Sequence, residues 1–438
     1  MSSRPRLMQV SKVAALLALA FGVVLFLAGG YFSLLPFGVF TQGARVLLTP
    51  LYAFVYRADR EHVAELVRDY HVGVRPASNG TPASSWQRIE KQIPGFTLTD
   101  ARDEPPPARD IPFVYEQSDA EYLRTFRETY RLADIVAGAP SEYEAMLRLG
   151  AWLGTRWDHG SDSVPGGSKV CEPVEVVADG EKGAKYWCEI AARTTVQAAT
   201  ALGWPARVMT ASRDGYTWEH AIAEVWSNQY SKWFVMDTDF NVVYEKEGVP
   251  LSAMELSRDG EALQHSGQLT VRPIAAPKPS LPPKDMIPFY KYVHVDLRND
   301  WCTRPLHRAS PAGGDLATWW TARPALKHLL TAKTRVDDPD TFDWQLNAVA
   351  LYALRATYNS GRDLVIEVGL NAYSPVFSHF EVRVDEGEWL SLNTPVYPLT
   401  VKSGEHTLAA RLQTVAGFPG PVSSVQFRLA PPAAGSVN

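Results

Sequence analysis

Apolar positions along this chain change their spacing several times, and each change marks a different kind of element. Val13 to Ala44 carries no charged residue over 32 positions rich in Leu, Ala, Val and Phe. About 20 apolar residues suffice to cross a bilayer, so Val13 to about Phe32 predicts a membrane-spanning helix. Ala44 to Tyr70 reads as its helical, partly apolar continuation, and a polar, proline-rich stretch follows from Val72 to Pro112. Helical spacing then returns. Ser118 and Glu121 form a capping box that opens a helix through about Val136, with Leu123, Phe126, Tyr130 and Ala133 on one side. Ser141 and Glu144 open a second, whose buried stripe is Met146, Leu149, Trp152 and Leu153. A third runs from Glu189 to Leu202 and stops at Gly203, with Pro205 just beyond.

Period two then takes over. His220 to Trp226 and Lys232 to Asp237 are strand-like runs that predict an antiparallel hairpin. A four-residue loop, Ser227 to Tyr230, pairs Trp226 with Ser231 and sets His220 directly opposite Asp237. A loop one residue longer selects Thr238, and one longer still selects Asp239. Pro273, Pro277, Pro279, Pro282 and Pro283 next read as a stiff connection, and Pro288 to Asp343 is aromatic-rich without a clear period. From about Trp344 the alternation resumes in Leu364, Ile366 and Val368; in Phe380, Val382 and Val384; in His406, Leu408, Ala410 and Leu412; and in Val425, Phe427 and Leu429. Turn residues at Glu386-Gly387, Ser403-Gly404 and Gly417-Phe418-Pro419-Gly420 separate these runs, which predicts a small β-sandwich.

Composition narrows the classes. With 46% hydrophobic residues, 438 positions are ample for two or three cored domains behind an anchor. A net charge of −5 with no dense basic patch argues against a nucleic-acid partner. Arg4, Arg6 and Lys12 flank the apolar run and belong on the cytoplasmic side by the positive-inside tendency, which places the remaining chain outside the cytoplasm. Ala28-Gly29-Gly30 offers small residues for a cleaved signal peptide, but the uncharged run exceeds the about 7–15 residues of a signal core, so an uncleaved anchor is the expectation. Three cysteines are too few for a disulfide framework. If one is catalytic, Cys171 and Cys302 remain as a possible pair. No CxxC, HExxH, histidine cluster or EF-hand-like loop is present, so no metal and no cofactor are expected.

Cys188 stands where the third helix begins. A cysteine at a helix N-terminus faces unpaired backbone amides and the positive end of the macrodipole, and both favour thiolate over thiol. An ordinary thiol is only about 3% ionised at pH 7, whereas such an environment with a neighbouring imidazolium can ionise most of it. His220 supplies that imidazole and Asp237 the carboxylate that orients it, with Asp239 as the fallback acid. Trp187, Trp157 and His159 are expected to line the cleft or the oxyanion hole.

The stretch from Cys188 through Gly203-Trp204-Pro205-Ala206-Arg207-Val208 to His220-Ala221 and Trp233…Asp237 resembles the transglutaminase-like superfamily, whose core is similar to that of papain-type cysteine proteases. Cys188, His220 and Asp237 match its Cys–His–Asp triad, over roughly residues 141–250. The resemblance implies acyl transfer at an amide through a thioester on Cys188, resolved by water or an amine. Extra domains and acidic metal sites like those of calcium-dependent crosslinkers are not found, so hydrolysis is the preferred outcome. The C-terminal pattern is similar to immunoglobulin-like domains appended to bacterial surface enzymes.

The expected fold class is α+β, with a papain/transglutaminase-like catalytic core, a C-terminal all-β immunoglobulin-like sandwich and an N-terminal transmembrane helix. The expected division is an anchor over 1–45, a helical and proline-rich connection over 46–117, the catalytic domain over 118–260, a linker and unassigned segment over 261–343, and the sandwich over 344–438. The function that follows is a membrane-anchored, extracytoplasmic cysteine hydrolase acting on peptide or protein substrates, with those of the cell envelope as candidates. The alternative is a non-catalytic scaffold that uses the papain-like core as a platform and the sandwich for recognition.

Overall fold

A computed structural model describes residues 70–74, 80–101, 113–160, 169–213, 219–303, 316–319, 334–359 and 363–431. Among these, no helix is long and apolar enough to cross a membrane, and the predicted anchor lies outside the described residues. The fold is α+β.

The central element is a six-stranded sheet ordered Thr334–Val336, Leu316–Trp319, Tyr292–Asp296, Ala206–Ser212, His220–Ser227 and Lys232–Met236. Every adjacent pair is antiparallel except the first. Because side chains alternate across a strand, the sheet feeds two cores. Ala206, Val208, Ala223, Val225, Phe234 and Met236 face one core with the helices Glu121–Thr129, Glu142–Gly154, Pro173–Glu181 and Cys188–Ala201. Met209, Ala211, Ile222, Trp233 and Val235 face the other, with the helix Ala253–His265 and aromatic residues from Phe289 to Trp344.

The segment without a clear period therefore builds the sheet and covers it. Arg207 shows how. It is fully buried, donates from Nε to Glu224 at 2.7 Å, from Nη1 to the Phe342 carbonyl at 2.9 Å and from Nη2 to Asp343 at 2.5 Å. Its guanidinium also lies 4.3 Å from the Trp233 ring and 4.5 Å from that of Trp344. Burial pushes the Glu224 and Asp343 carboxyls up, and the guanidinium pulls them back. Cys171 and Cys302, left as a possible pair by the sequence, form a disulfide that ties the turn before Pro173–Glu181 to the loop after Tyr292–Asp296.

Two antiparallel sheets share the third core. One sets Leu364–Tyr373 between Val349–Tyr358 on one side and Val396–Val401 and His71–Gly73 on the other. The other runs Leu390–Leu392, Phe377–Val384, Gly404–Thr414, Ser423–Leu429 and Phe96–Ala101. The last strand comes from the stretch expected to be a connection. The helix Pro82–Gln92 from that stretch packs on the same core, with Trp86 buried and its Nε1 donating to the Leu351 carbonyl at 2.9 Å. An edge strand and a helix can be recruited across a long sequence gap when the open sheet edge needs covering.

Two local expectations change. The helix expected from Ser118 to about Val136 is two, Glu121–Thr129 and Leu132–Val136, because Arg131 adopts a left-handed conformation with φ of 51°. Its first residue follows Ala120, with no side-chain cap, so the Ser118–Glu121 pattern does not cap it.

Replacing Arg207 by Met should leave two carboxylates without their countercharge. Stability should fall by roughly 3–5 kcal/mol, the range for breaking a buried ion pair from one side. Urea unfolding of the full chain checks this, and adding Glu224→Gln with Asp343→Asn should recover much of the loss.

Candidate active site

Cys188 sits at the first position of the helix Cys188–Ala201, preceded by Trp187 in an extended conformation. Every residue from Ile190 to Ala201 is buried, so this helix is clamped on all sides. Arg193 lies 4.4 Å over the Trp301 ring, and Thr195 shares a 2.7 Å hydroxyl hydrogen bond with Thr238, which follows Asp237 in its turn. Cys188 is the free cysteine and is half-buried. The Trp187 carbonyl accepts the Ile190 and Ala191 N–H groups, so of the first-turn amides those of Cys188 and Glu189 lack a partner within the helix and can meet an oxygen.

His220 opens its strand opposite Ala211 and is 4% exposed. Its Nε2 meets Asp237 Oδ2 at 2.7 Å. Burial opposes charge on the ring, but the Asp237 carboxylate and the Cys188 sulfur more than offset it and hold the imidazole well above its ordinary range. Phe240 stands edge-on to the ring at 5.2 Å. With Nε2 committed to the acid, Nδ1 is the nitrogen left to serve the thiol.

Asp237 is the carboxylate that meets His220, but the register that delivers it is not the expected one. Ser227 pairs with Lys232, Trp226 with Trp233 and Ala223 with Met236, two residues away from the expected alignment. Extended to the end, this register would set His220 opposite Asp239. The strand stops first, at Met236. The chain then turns tightly, with Asp237 Oδ1 accepting the backbone N–H groups of Asp239 and Phe240, both at 3.0 Å. A shift of two keeps side chains on the same face, and the turn swings Asp237 into reach. Asn241 closes the turn and donates to the Gly154 carbonyl at 3.3 Å. A Cβ on Gly154 would fall 1.8 Å from Asn241 Oδ1, so only glycine permits this approach.

Asp239 serves a different histidine. It is 2% exposed, and both of its oxygens lie 3.0 Å from His159 Nδ1. Burial and the neighbouring Asp237 push its carboxyl up, and His159 and Lys278 oppose that rise. Lys278 Nζ stands 3.9 Å from Asp239 and 5.1 Å over the Trp157 ring, without a hydrogen-bond partner among the described residues; burial lowers its affinity for a proton. The proline-rich segment that carries Lys278 is pinned by Ser280, whose N–H and hydroxyl both donate to Asp158. Its contribution to the site was invisible in the sequence, where a lysine between two prolines carries no signal.

Of the residues expected to line the cleft, His159 is partly exposed beside Asp239 and Trp187 is 53% exposed next to Cys188. Trp157 is 4% exposed and packs against Tyr186 with ring centroids 5.9 Å apart. The sulfur of Cys188, a ring nitrogen of His220 and an oxygen of Asp239 lie within 4.8 Å of one another. Three such atoms could converge on a cation, but the bonds of His220 to Asp237 and of Asp239 to His159 make them parts of a proton network.

No curated protein is matched by the chain. Residues 130–238 match the family model of the transglutaminase-like superfamily, and the part of the chain that brings Cys188, His220 and Asp237 together is therefore a transglutaminase-like core.

Proposed function

We propose that this protein is a cysteine hydrolase that cleaves peptide or protein amides through a thioester on Cys188. The observation that carries the reading is the buried 2.7 Å contact between His220 and Asp237, with the sulfur of Cys188 within 4.8 Å of a nitrogen of the same ring. Superfamily membership of the core supports it, since members are typically cysteine proteases or acyltransferases.

In this reading His220 takes the thiol proton and Asp237 fixes the ring and supports its positive charge. The thiolate attacks the amide carbon, and the developing oxyanion meets the free amides at the start of the Cys188–Ala201 helix. His220 then protonates the departing amine, leaving the thioester. Trp187 offers an exposed apolar face beside it. An N-terminal anchor would hold the catalytic core at the outer face of the membrane, with cell-envelope peptides or proteins within reach. The immunoglobulin-like sandwich would position the core or its substrate.

An ordinary thiol is only about 3% ionised at pH 7, so His220→Ala should slow iodoacetamide alkylation of Cys188 by roughly 30-fold, read by peptide mass spectrometry. Equal rates in parent and variant would favour the scaffold reading. Cys188→Ala should abolish turnover of envelope peptides while leaving the thermal unfolding profile close to the parent's. Asp237→Asn should retain residual turnover, lower by up to about 10⁴-fold, as when a triad loses its orienting charge; unchanged turnover would remove Asp237 from the triad. Adding a labelled primary amine should yield little labelled product if water is the acceptor, and extensive labelling would make the enzyme a transamidase.

A further inference from the structure

The thioester reading employs Cys188, His220 and Asp237 and leaves Asp239 without a task, although a second buried carboxylate beside Asp237 is electrostatically costly. A sulfur, a ring nitrogen and a carboxylate oxygen, from Cys188, His220 and Asp239, all lie within 4.8 Å of one another. They come from three separate elements, the start of the helix Cys188–Ala201, the start of the strand His220–Ser227 and the turn after Lys232–Met236, so no short motif announces them. Thiolate, imidazole and carboxylate together are a donor set that suits zinc, and three protein ligands with an open fourth position is a common zinc arrangement. Bonds of about 2.0–2.3 Å in a tetrahedron set the ligand atoms about 3.3–3.6 Å apart, so the three atoms would close by at most about 1.5 Å.

The surroundings of the trio fit the same ion. An imidazole on a metal almost always gives its other N–H to a carboxylate or a carbonyl, and a carboxylate on a metal is itself hydrogen-bonded. His220 meets Asp237 through Nε2 at 2.7 Å, which leaves Nδ1 for an ion. Asp239 accepts from His159 Nδ1, 3.0 Å from each oxygen, and each carboxylate oxygen keeps a further lone pair. The bonds that tie the proton network together therefore orient two ligands without consuming them. Zinc and a Lys278 ammonium, 3.9 Å from Asp239, would balance three anions, the Cys188 thiolate, Asp237 and Asp239, with both imidazoles neutral. Half-buried Cys188 and a His159 side chain that is 30% exposed leave a small ion a way in.

We propose that Cys188, His220 Nδ1 and Asp239 bind a zinc ion that reversibly blocks Cys188, with Asp237 and His159 orienting two of the ligands. The site stands on geometry, whereas its meaning as an off-state rests on the thioester reading above. Zinc takes the place of the proton that Cys188 and His220 share. That proton leaves to solvent, the sulfur, Nδ1 and a carboxylate oxygen donate electron pairs to the ion, and water fills the fourth position. Oxidation states do not change, and loss of zinc restores the thiol–imidazole pair.

Cobalt(II), which reports zinc ligands by absorption, is titrated into the full-length chain. A thiolate-to-cobalt band in the near ultraviolet and intense visible bands of a tetrahedral ion should saturate at a single ion per chain and vanish when zinc is added. Cys188→Ala should remove the ultraviolet band. Asp239→Asn should weaken binding by at least about 10-fold, and His159→Ala, at a partly exposed position where folding is least disturbed, by about 10- to 100-fold. Calcium and magnesium, which prefer oxygen ligands, should leave the cobalt spectrum unaltered. Zinc should protect Cys188 from iodoacetamide, and a chelator should restore alkylation. A spectrum without a thiolate band overturns the site, as does affinity within about twofold of the parent's in both Asp239→Asn and His159→Ala, well below the loss expected for a ligand or its partner. Zinc that binds and leaves alkylation unaltered overturns the block. Binding with protection in a chain that hydrolyses no amide removes the thioester reading and leaves the zinc site standing.

Discussion

The close packing of one helix against one sheet is the constraint on which the site depends. From Ile190 to Ala201 the helix carries mostly alanine and threonine, and all of it is buried. Small side chains let the helix axis approach the sheet closely, and close-packed interiors do not adjust continuously. Its first residue, Cys188, is therefore held at a fixed height relative to the strand that starts with His220. The Thr195–Thr238 hydrogen bond fastens the helix to the turn after Asp237, so Cys188, His220 and Asp237 are positioned by one rigid unit.

Charge is the second organising force. Arg207 shares its guanidinium among Glu224, Asp343 and a carbonyl, and lies against two tryptophan rings. Buried carboxylates are tolerable when paired and hydrogen-bonded, and costly otherwise. The same rule operates at the site, where Asp237 receives one imidazole and two backbone amides, and Asp239 receives the other imidazole with a lysine nearby. The proline-rich segment 273–283 contributes by placing Lys278 against Asp239 and fastening itself through Ser280 to Asp158. Asp158 is itself held down to about 2, because hydrogen bonds from Ser280 and His159 outweigh the effect of its burial. A stretch that reads as a spacer is thus part of the wall behind the site.

Much of this was legible in the chain, and the failures have physical causes. The helix ending at Ala201 before Gly203, and the strands of the C-terminal sheets, follow from local periodicity and turn residues. Hairpin register is less local. Two aspartates, Asp237 and Asp239, share a face, and counting from an assumed loop picked the right one through the wrong alignment. The strand ends where Asp237 begins to bond its own turn, an event set by Asn241 meeting Gly154 and by the Thr195 contact. The Arg131 break likewise escaped the helical stripe, since Leu123, Phe126 and Leu132 bury in the same core on either side of it.

The sequence by itself determined which cysteine, histidine and aspartate to look for together and the type of most elements, because both are written in residue chemistry and in spacing over a few positions. A cysteine opening an apolar helix, a histidine opening a strand and an aspartate closing the next carry that information locally. Only the tertiary structure decided which carboxylate meets which imidazole, that Cys171 reaches Cys302, and that Phe96–Ala101 completes a sheet more than 320 residues further along. Those pairings depend on distances between segments that share no local pattern. They are fixed when buried charges must find partners and open sheet edges must be covered.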